Sequence, residues 1–286
     1  MRNYKEVTNL YVLPFDHRSG FAKLLGFEEP LTEDQVQTIK DYKHIIYQAI
    51  FRSKVPKDES AVLVDEVYGF DILKDATTQG LVTMQTVEKS GQERLDFEYG
   101  DEYKEHLLSI IPTYAKVLIR YDVNQDNSDQ IDKLKELSLF VHANNIGLLI
   151  EPLMQSDLDK SVYDMENRYK DVIRMISDIQ DAGIEADVWK IEGFYSKEQY
   201  EAVAEVAKRD GREDIKIIIL GRNETKEHVK DWIEAGRGVC NGFAVGRTIF
   251  WEPLDDYKNN IISRDEAIDR IVFEYEYYYD LFTNNK

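Results

Sequence analysis

The segment Asp187-Val188-Trp189-Lys190-Ile191-Glu192-Gly193 sets a lysine in the middle of a strand-like apolar run. Side chains alternate between the two faces of a strand, so Val188, Lys190 and Glu192 share one face and Trp189 and Ile191 the other. Where both faces are covered, as in a parallel sheet, Lys190 is kept out of bulk water. Burial lowers the pKa of a lysine and makes its amine a nucleophile near neutral pH, of the kind that forms Schiff bases with carbonyl compounds. Moving such an amine from ~10.4 toward ~7 takes roughly 4–5 kcal/mol of differential interaction.

The elements that must hold this amine alternate regularly. Strand-like runs fall at 10–15, 61–65, 81–87, 116–121, 147–151, 187–192, 216–220 and 242–245. Helical patterns fall between them at 32–52, 101–111, 128–145, 163–182, 196–209 and 225–235, with a weaker one near 70–78 and a strong last one at 263–282. Thr32 before Glu33 and Asp34, Ser196 with Gln199 three residues on, and Ser263 with Asp265 read as helix starts. Eight strands alternating with helices predict a parallel sheet. The count of eight without a dividing linker favours a single α/β domain over 1–286, a (β/α)₈ TIM barrel, over an open doubly wound sheet. The long polar stretch 88–100 is expected at the rim.

Chemistry in such barrels sits at the C-terminal ends of the strands, and there this chain places its charged residues. In order they are Asp16-His17-Arg18, Asp65-Glu66, Glu88-Lys89, Lys116 with Arg120-Tyr121-Asp122, Glu151, Lys190 with Glu192, Gly221-Arg222 and Gly246-Arg247. Each one alone reads as a solvated loop residue. Lys116, taken as the first residue of its strand, falls by position near the barrel floor, and His17 reads as a turn residue. The recurrence at one end of all eight strands is what points to a site. Gly221 and Gly246 let the backbone come close to a ligand, and Arg247 adds a bidentate donor, a pattern suited to phosphate near strands seven and eight.

Composition narrows the classes. The chain has 286 residues and a formal net charge of -19, which repels nucleic acid and anionic lipid, so an anionic ligand needs a local cluster of positive groups. No run approaches the ~20 apolar residues of a membrane span. The single Cys240 excludes an intrachain disulfide and fits a reducing, cytoplasmic setting, and the first six residues are too polar to begin a secretory signal. The five histidines, His17, His44, His106, His142 and His228, show no HExxH or HxH pairing, so neither a metal nor another cofactor is expected. GxGxxG, P-loop and GxSxG motifs are absent. The aromatic last helix, with Phe273, Tyr275, Tyr277, Tyr278, Tyr279 and Phe282, reads first as core packing and second as a homo-oligomer interface.

Taken in order, Phe15-Asp16-His17-Arg18, Leu63-Val64-Asp65 with Tyr68-Gly69, Val87-Glu88-Lys89-Ser90-Gly91, Ala115-Lys116-Val117-Leu118 with Tyr121-Asp122, Leu149-Ile150-Glu151, Asp187 to Glu192, and Gly246-Arg247 resemble the class I, Schiff-base tagatose-1,6-bisphosphate aldolase family. They look still more like its 5-dehydro-2-deoxyphosphogluconate aldolase (DUF2090-type) branch, which acts in inositol catabolism. The resemblance implies that Lys190 is the Schiff-base lysine, Glu151 the acid/base carboxylate and Lys116 a second active-site lysine. It places Asp16, Arg18 and Asp65 among the polar residues of the first two strand ends, and Arg247 near a substrate phosphate. The expected catalytic set is thus Lys190, Glu151, Lys116, Asp16 and Asp65. The expected substrate-binding set is Arg18, Glu88, Lys89, Arg120, Gly221, Arg222, Gly246 and Arg247. Gly221-Arg222 stands where tagatose-bisphosphate enzymes have a neutral small-residue segment, and Arg120 where they have an aromatic. The implied substrate is therefore a phosphorylated sugar or sugar acid, with Arg120 or Arg222 on a carboxylate.

Overall fold

In a computed structural model, described over residues 3–159, 162–222 and 224–284, the eight strands close into one parallel barrel in chain order, β1 pairing with β8. They are β1 (Leu10–Pro14), β2 (Ser60–Asp65), β3 (Val82–Thr86), β4 (Tyr114–Tyr121), β5 (Gly147–Met154), β6 (Val188–Glu192), β7 (Lys216–Leu220) and β8 (Gly242–Ala244). The helices are α1 (Ser19–Leu25), α2 (Glu33–Arg52), α3 (Glu66–Thr78), α4 (Tyr103–Ile110), α5 (Ser128–Ala143), α6 (Arg168–Asp181), α7 (Lys197–Ala207), α8 (Lys226–Gly236), α9 (Arg247–Lys258) and α10 (Arg264–Thr283). Thr32 with Gln35, Ser196 with Gln199, and Ser263 with Glu266 form reciprocal capping boxes that fix the starts of α2, α7 and α10. Among the described residues, no helix is long and apolar enough to cross a membrane.

Two buried clusters divide the core. The larger lies between strands and helices, where Trp189 and Ile191 of β6 point. The smaller fills the lower barrel with Leu10, Val12, Ala61, Leu63, Val82, Met84, Tyr114, Leu149, Val188, Ile218 and Ala244, and Tyr4 and Val7 belong to it from the segment before β1. The Tyr114 hydroxyl donates to the Tyr4 carbonyl. The last helix packs as core: Tyr275 and Tyr278 are buried against Phe243, while Phe273 is 71% exposed.

Several boundaries differ from the sequence reading, and those nearest the site matter most. β4 begins at Tyr114, two residues before Lys116, and β5 runs on to Met154. α1 and α9 lie in stretches given no element from sequence, because α1 is only about two turns long and α9 carries Pro253 inside it. α3 starts directly at Glu66, with Asp65 as its N-cap.

Candidate active site

Alternation along the strands carries one set of side chains up the inside of the barrel from the apolar floor to its C-terminal mouth. On β6 the floor residue Val188 is followed by Lys190, on β5 Leu149 by Glu151, and on β4 Tyr114 by Lys116. Lys116 is paired in register with Thr86, the last residue of β3, and with Leu149. It therefore stands at the mouth, and the expectation of a floor position is corrected. Strand stagger in a closed barrel is the reason: height is set by register between neighbours, not by a residue's place in its own strand.

The two lysines meet one carboxylate. Glu151 Oε2 lies 2.9 Å from Lys190 Nζ and 2.8 Å from Lys116 Nζ. Lys116 Nζ also sits 2.6 Å from Glu88 Oε1 and 3.0 Å from Asp16 Oδ2, and the Thr86 hydroxyl donates to Asp16 at 2.9 Å. Lys190 and Lys116 are 3% and 2% exposed. Their surroundings divide them. Burial pushes Lys116 down, but Asp16, Glu151 and Glu88 outweigh it and hold the ammonium well above its ordinary value. Lys116 is thus a fixed positive charge. Lys190 has an ion pair with Glu151 alone among the described residues, and Glu151 shares its charge with Lys116.

The three acids also differ. Burial pushes Asp16 up, but Lys116 and then Lys190 hold it well below the usual carboxylate range. Glu151 is pushed up by burial and drawn down further by Lys116 and then Lys190, to a net lowering. Glu88 goes the other way, because burial outweighs Lys116 and Asp16 adds repulsion. Burial also brings the imidazole of His17 down to about 4, leaving it neutral at pH 7.

These groups line a cavity of about 580 Å³. Eight Lys or Arg side chains line it against three carboxylates, which reverses locally the sign of a chain of net charge -19. Arg18, Lys89, Arg120, Gly221, Arg222, Gly246 and Arg247 are all in its wall. The 88–92 stretch forms part of the rim, held by the Glu88–Phe97 bridge and by the Lys89 N–H on the Asp96 carbonyl.

Within the wall the guanidiniums are not equivalent. Arg18 pairs with Glu98 at 2.5 Å and donates to the Glu88 carbonyl at 2.8 Å. Arg222 is held by Glu192 at 2.5 Å and Asp164 at 3.2 Å. Arg120 donates from Nε to the Gln92 carbonyl at 3.0 Å. Among the described residues, neither Arg120 nor Arg247 has an ion-pair partner within 4 Å. They stand on β4 and at the end of β8, opposite walls of an eight-strand ring. A Cβ at Gly246 would come within 2.6 Å of the Pro14 carbonyl, so only glycine fits there. Gly246 offers no side-chain cap to α9, whose first-turn N–H groups start beside Arg247.

Asp65 departs from expectation. It is buried and does not line the cavity; its carboxylate accepts the Tyr68 N–H and pairs with Lys43 of α2. The strand gives way to α3 at the very next residue, so its side chain is used by the helix start. The lining also includes residues that the expected site set did not name, among them Lys23, Gln92 and Gln155. Lys23 stands on α1, which reads as loop, and amides carry no charge signal. Among the described residues, no group of three or more His, Cys, Asp or Glu is placed to hold a metal ion.

The whole chain, residues 1–286, matches the model of a family described as "Uncharacterized protein conserved in bacteria (DUF2090)". The protein belongs to this family. No curated protein matches the chain. Among solved structures, the fold is similar to an archaeal fructose 1,6-bisphosphate aldolase, with TM-score 0.61 and 13% identity over 97% of this chain and 95% of that one. A Schiff-base-forming fructose-1,6-bisphosphate aldolase gives TM-score 0.58 and 15% identity over 94% of each chain. A fructose-bisphosphate aldolase from Slackia heliotrinireducens gives 0.57 and 12%, covering 96% of this chain and 88% of that one. At these identities the likeness is one of fold: a full-length TIM barrel.

Proposed function

We propose that this DUF2090 protein is a class I aldolase, a carbon–carbon lyase that forms a Schiff base on Lys190. The observation that carries the reading is the divided pair of buried lysines around Glu151: one ammonium fixed by three carboxylates, and one amine whose only acid partner among the described residues is a shared carboxylate. Glu151 takes a proton from Lys190, and the free amine adds to a substrate ketone to give a carbinolamine. Return of protons through Glu151 expels water and leaves an iminium. Removal of the proton from the β-hydroxyl, by Glu151 or Asp16, then breaks the C–C bond. The electron pair flows into the iminium, an aldehyde leaves, and the resulting enamine is protonated and hydrolysed to release the ketone product and Lys190. Lys116, cationic throughout, keeps Asp16 and Glu151 ionised and stabilises negative charge developing on oxygen.

The substrate we favour is a phosphorylated keto-sugar acid, 5-dehydro-2-deoxygluconate 6-phosphate, cleaved to dihydroxyacetone phosphate and malonate semialdehyde. Support comes from Arg120 and Arg247, which have no acid partner among the described residues and stand on opposite walls. Arg247 with the start of α9 suits the phosphate. Arg120 suits the carboxylate better than Arg222, whose charge is already met by Glu192 and Asp164. A ketose 1,6-bisphosphate, the substrate named for the structural neighbours, is the second reading, because the same two walls accept two phosphates. An assay panel of phosphorylated keto acids and ketoses, read for cleavage product, tests both. Arg120→Met is expected to raise KM for the keto acid roughly 10- to 100-fold, the worth of one charged hydrogen-bonding group, and Arg222→Ala less. Equal loss on ketose bisphosphates would favour the second reading. Binding without cleavage of any member would leave a sugar-phosphate-sensing barrel.

A further inference from the structure

Lys43 is fully buried and outside the cavity wall; burial pulls its ammonium below the ordinary value, and Asp65 opposes that pull. Lys43 stands on the face of α2 that also buries Ile39, Tyr42, Ile46 and Tyr47. Its ammonium has three N–H groups and meets three acceptors: the Phe15 carbonyl at 2.6 Å, the His17 carbonyl at 3.1 Å and the Asp65 carboxylate. The Phe21 ring lies 5.0 Å away. An ammonium in such a place is costly unless fully paired, and here the pairing is complete. Two of its acceptors are the carbonyls on either side of Asp16, the carboxylate that takes hydrogen bonds from Thr86 and Lys116.

We propose that Lys43 is a positioning residue: by pinning the peptide carbonyls that flank Asp16, it sets that carboxylate against Lys116. Asp65 then serves as the counter-charge that keeps the pin in place, which accounts for an acid at the mouth of β2 that never reaches the cavity. The placement of Asp16 stands on this geometry; its consequence for turnover rests on the aldolase reading.

Replacing Lys43 alone would leave Asp65 buried and unpaired and would also change the field at Asp16. The test therefore uses Lys43→Met in an Asp65→Asn background, which removes both charges and keeps a side-chain cap for α3. Lys43→Gln in the same background retains N–H donors for the carbonyls. The titration midpoints of the Asp16 and Glu151 carboxyls are read by carbon-13 NMR in the unliganded proteins. The Met variant is expected to raise the Asp16 midpoint by about one pH unit, a tenfold weaker hold on Lys116, with Glu151 unmoved and Asp16 held low in the Gln variant. A folded Met variant with Asp16 unmoved, or equal movement in both variants, overturns the proposal. If the Met variant does not fold, the Gln variant decides alone: Asp16 held low supports the proposal, and Asp16 raised overturns it. On substrate, the Met variant is expected to lose about 100-fold in kcat while borohydride still traps Lys190. Failure to trap the wild-type protein would sink the aldolase reading and leave the titration result standing.

Discussion

The floor and the mouth of the barrel are built by the same strands, yet they are opposite solvents. Leu149, Val188 and Tyr114 belong to the apolar floor, and two residues further along each strand stand Glu151, Lys190 and Lys116. Two residues span roughly 7 Å. Over that distance the interior passes from a packed hydrocarbon layer to a shell of two ammonium groups among three carboxylates. The lower layer excludes water beneath the lysines, so the charges above it interact in a poorly screened setting. The contrast teaches that stability and chemistry are stacked along one axis and should be separable by substitutions two residues apart.

The largest effect expected is at the mouth. Glu151→Gln removes the carboxylate shared by both lysines and should lower kcat, measured on the protein that remains folded, by about 10²–10⁴-fold. If cleavage survived within a few-fold, the mouth would not work as described. Next in size is the floor. Leu63→Ala should cost roughly 2–5 kcal/mol in denaturant unfolding, while the remaining folded protein still reacts at Lys190. Loss of chemistry without loss of stability there would erase the distinction between the two layers.

Acid gives a smaller and sharper test. Asp16 and Glu151 are held below their ordinary values. Their contribution to stability is present above the unfolded carboxylate range near ~4 and is lost as pH falls through the lower folded values. Glu88 is held above its ordinary value, so its contribution has the opposite sign: present in acid and lost as pH rises through the raised value. Thermal melts between neutral pH and strong acid should fall less steeply for Asp16→Asn than for the wild type. Glu88→Gln should leave that acid limb in place. The reverse pattern would mean that the carboxylate roles are interchanged.

Much of this could be read from the chain. Eight apolar runs with charged ends announced the barrel and its charged mouth, and Lys190 inside a strand announced a buried lysine. What stayed hidden depended on register and reach. The height of Lys116 follows from its pairing with Thr86, which no local pattern encodes. Pro253 masked α9, although its first turn abuts the basic wall of the cavity. Asp65 read as a site residue because its strand end looks like the others; the Tyr68 N–H and Lys43, which arrives from a helix twenty-two residues earlier, both claim it. Lys43 falls on the apolar stripe of its helix with Ile39, Ile46 and Tyr47, a periodicity that marks its burial but not its partner.

The most direct measurement is reduction with sodium borohydride in the presence of a phosphorylated keto acid, followed by peptide mass mapping. A stable adduct on Lys190, lost in Lys190→Ala, is the predicted result. An adduct on Lys116 instead, or cleavage that proceeds with no trapped lysine, would contradict the account.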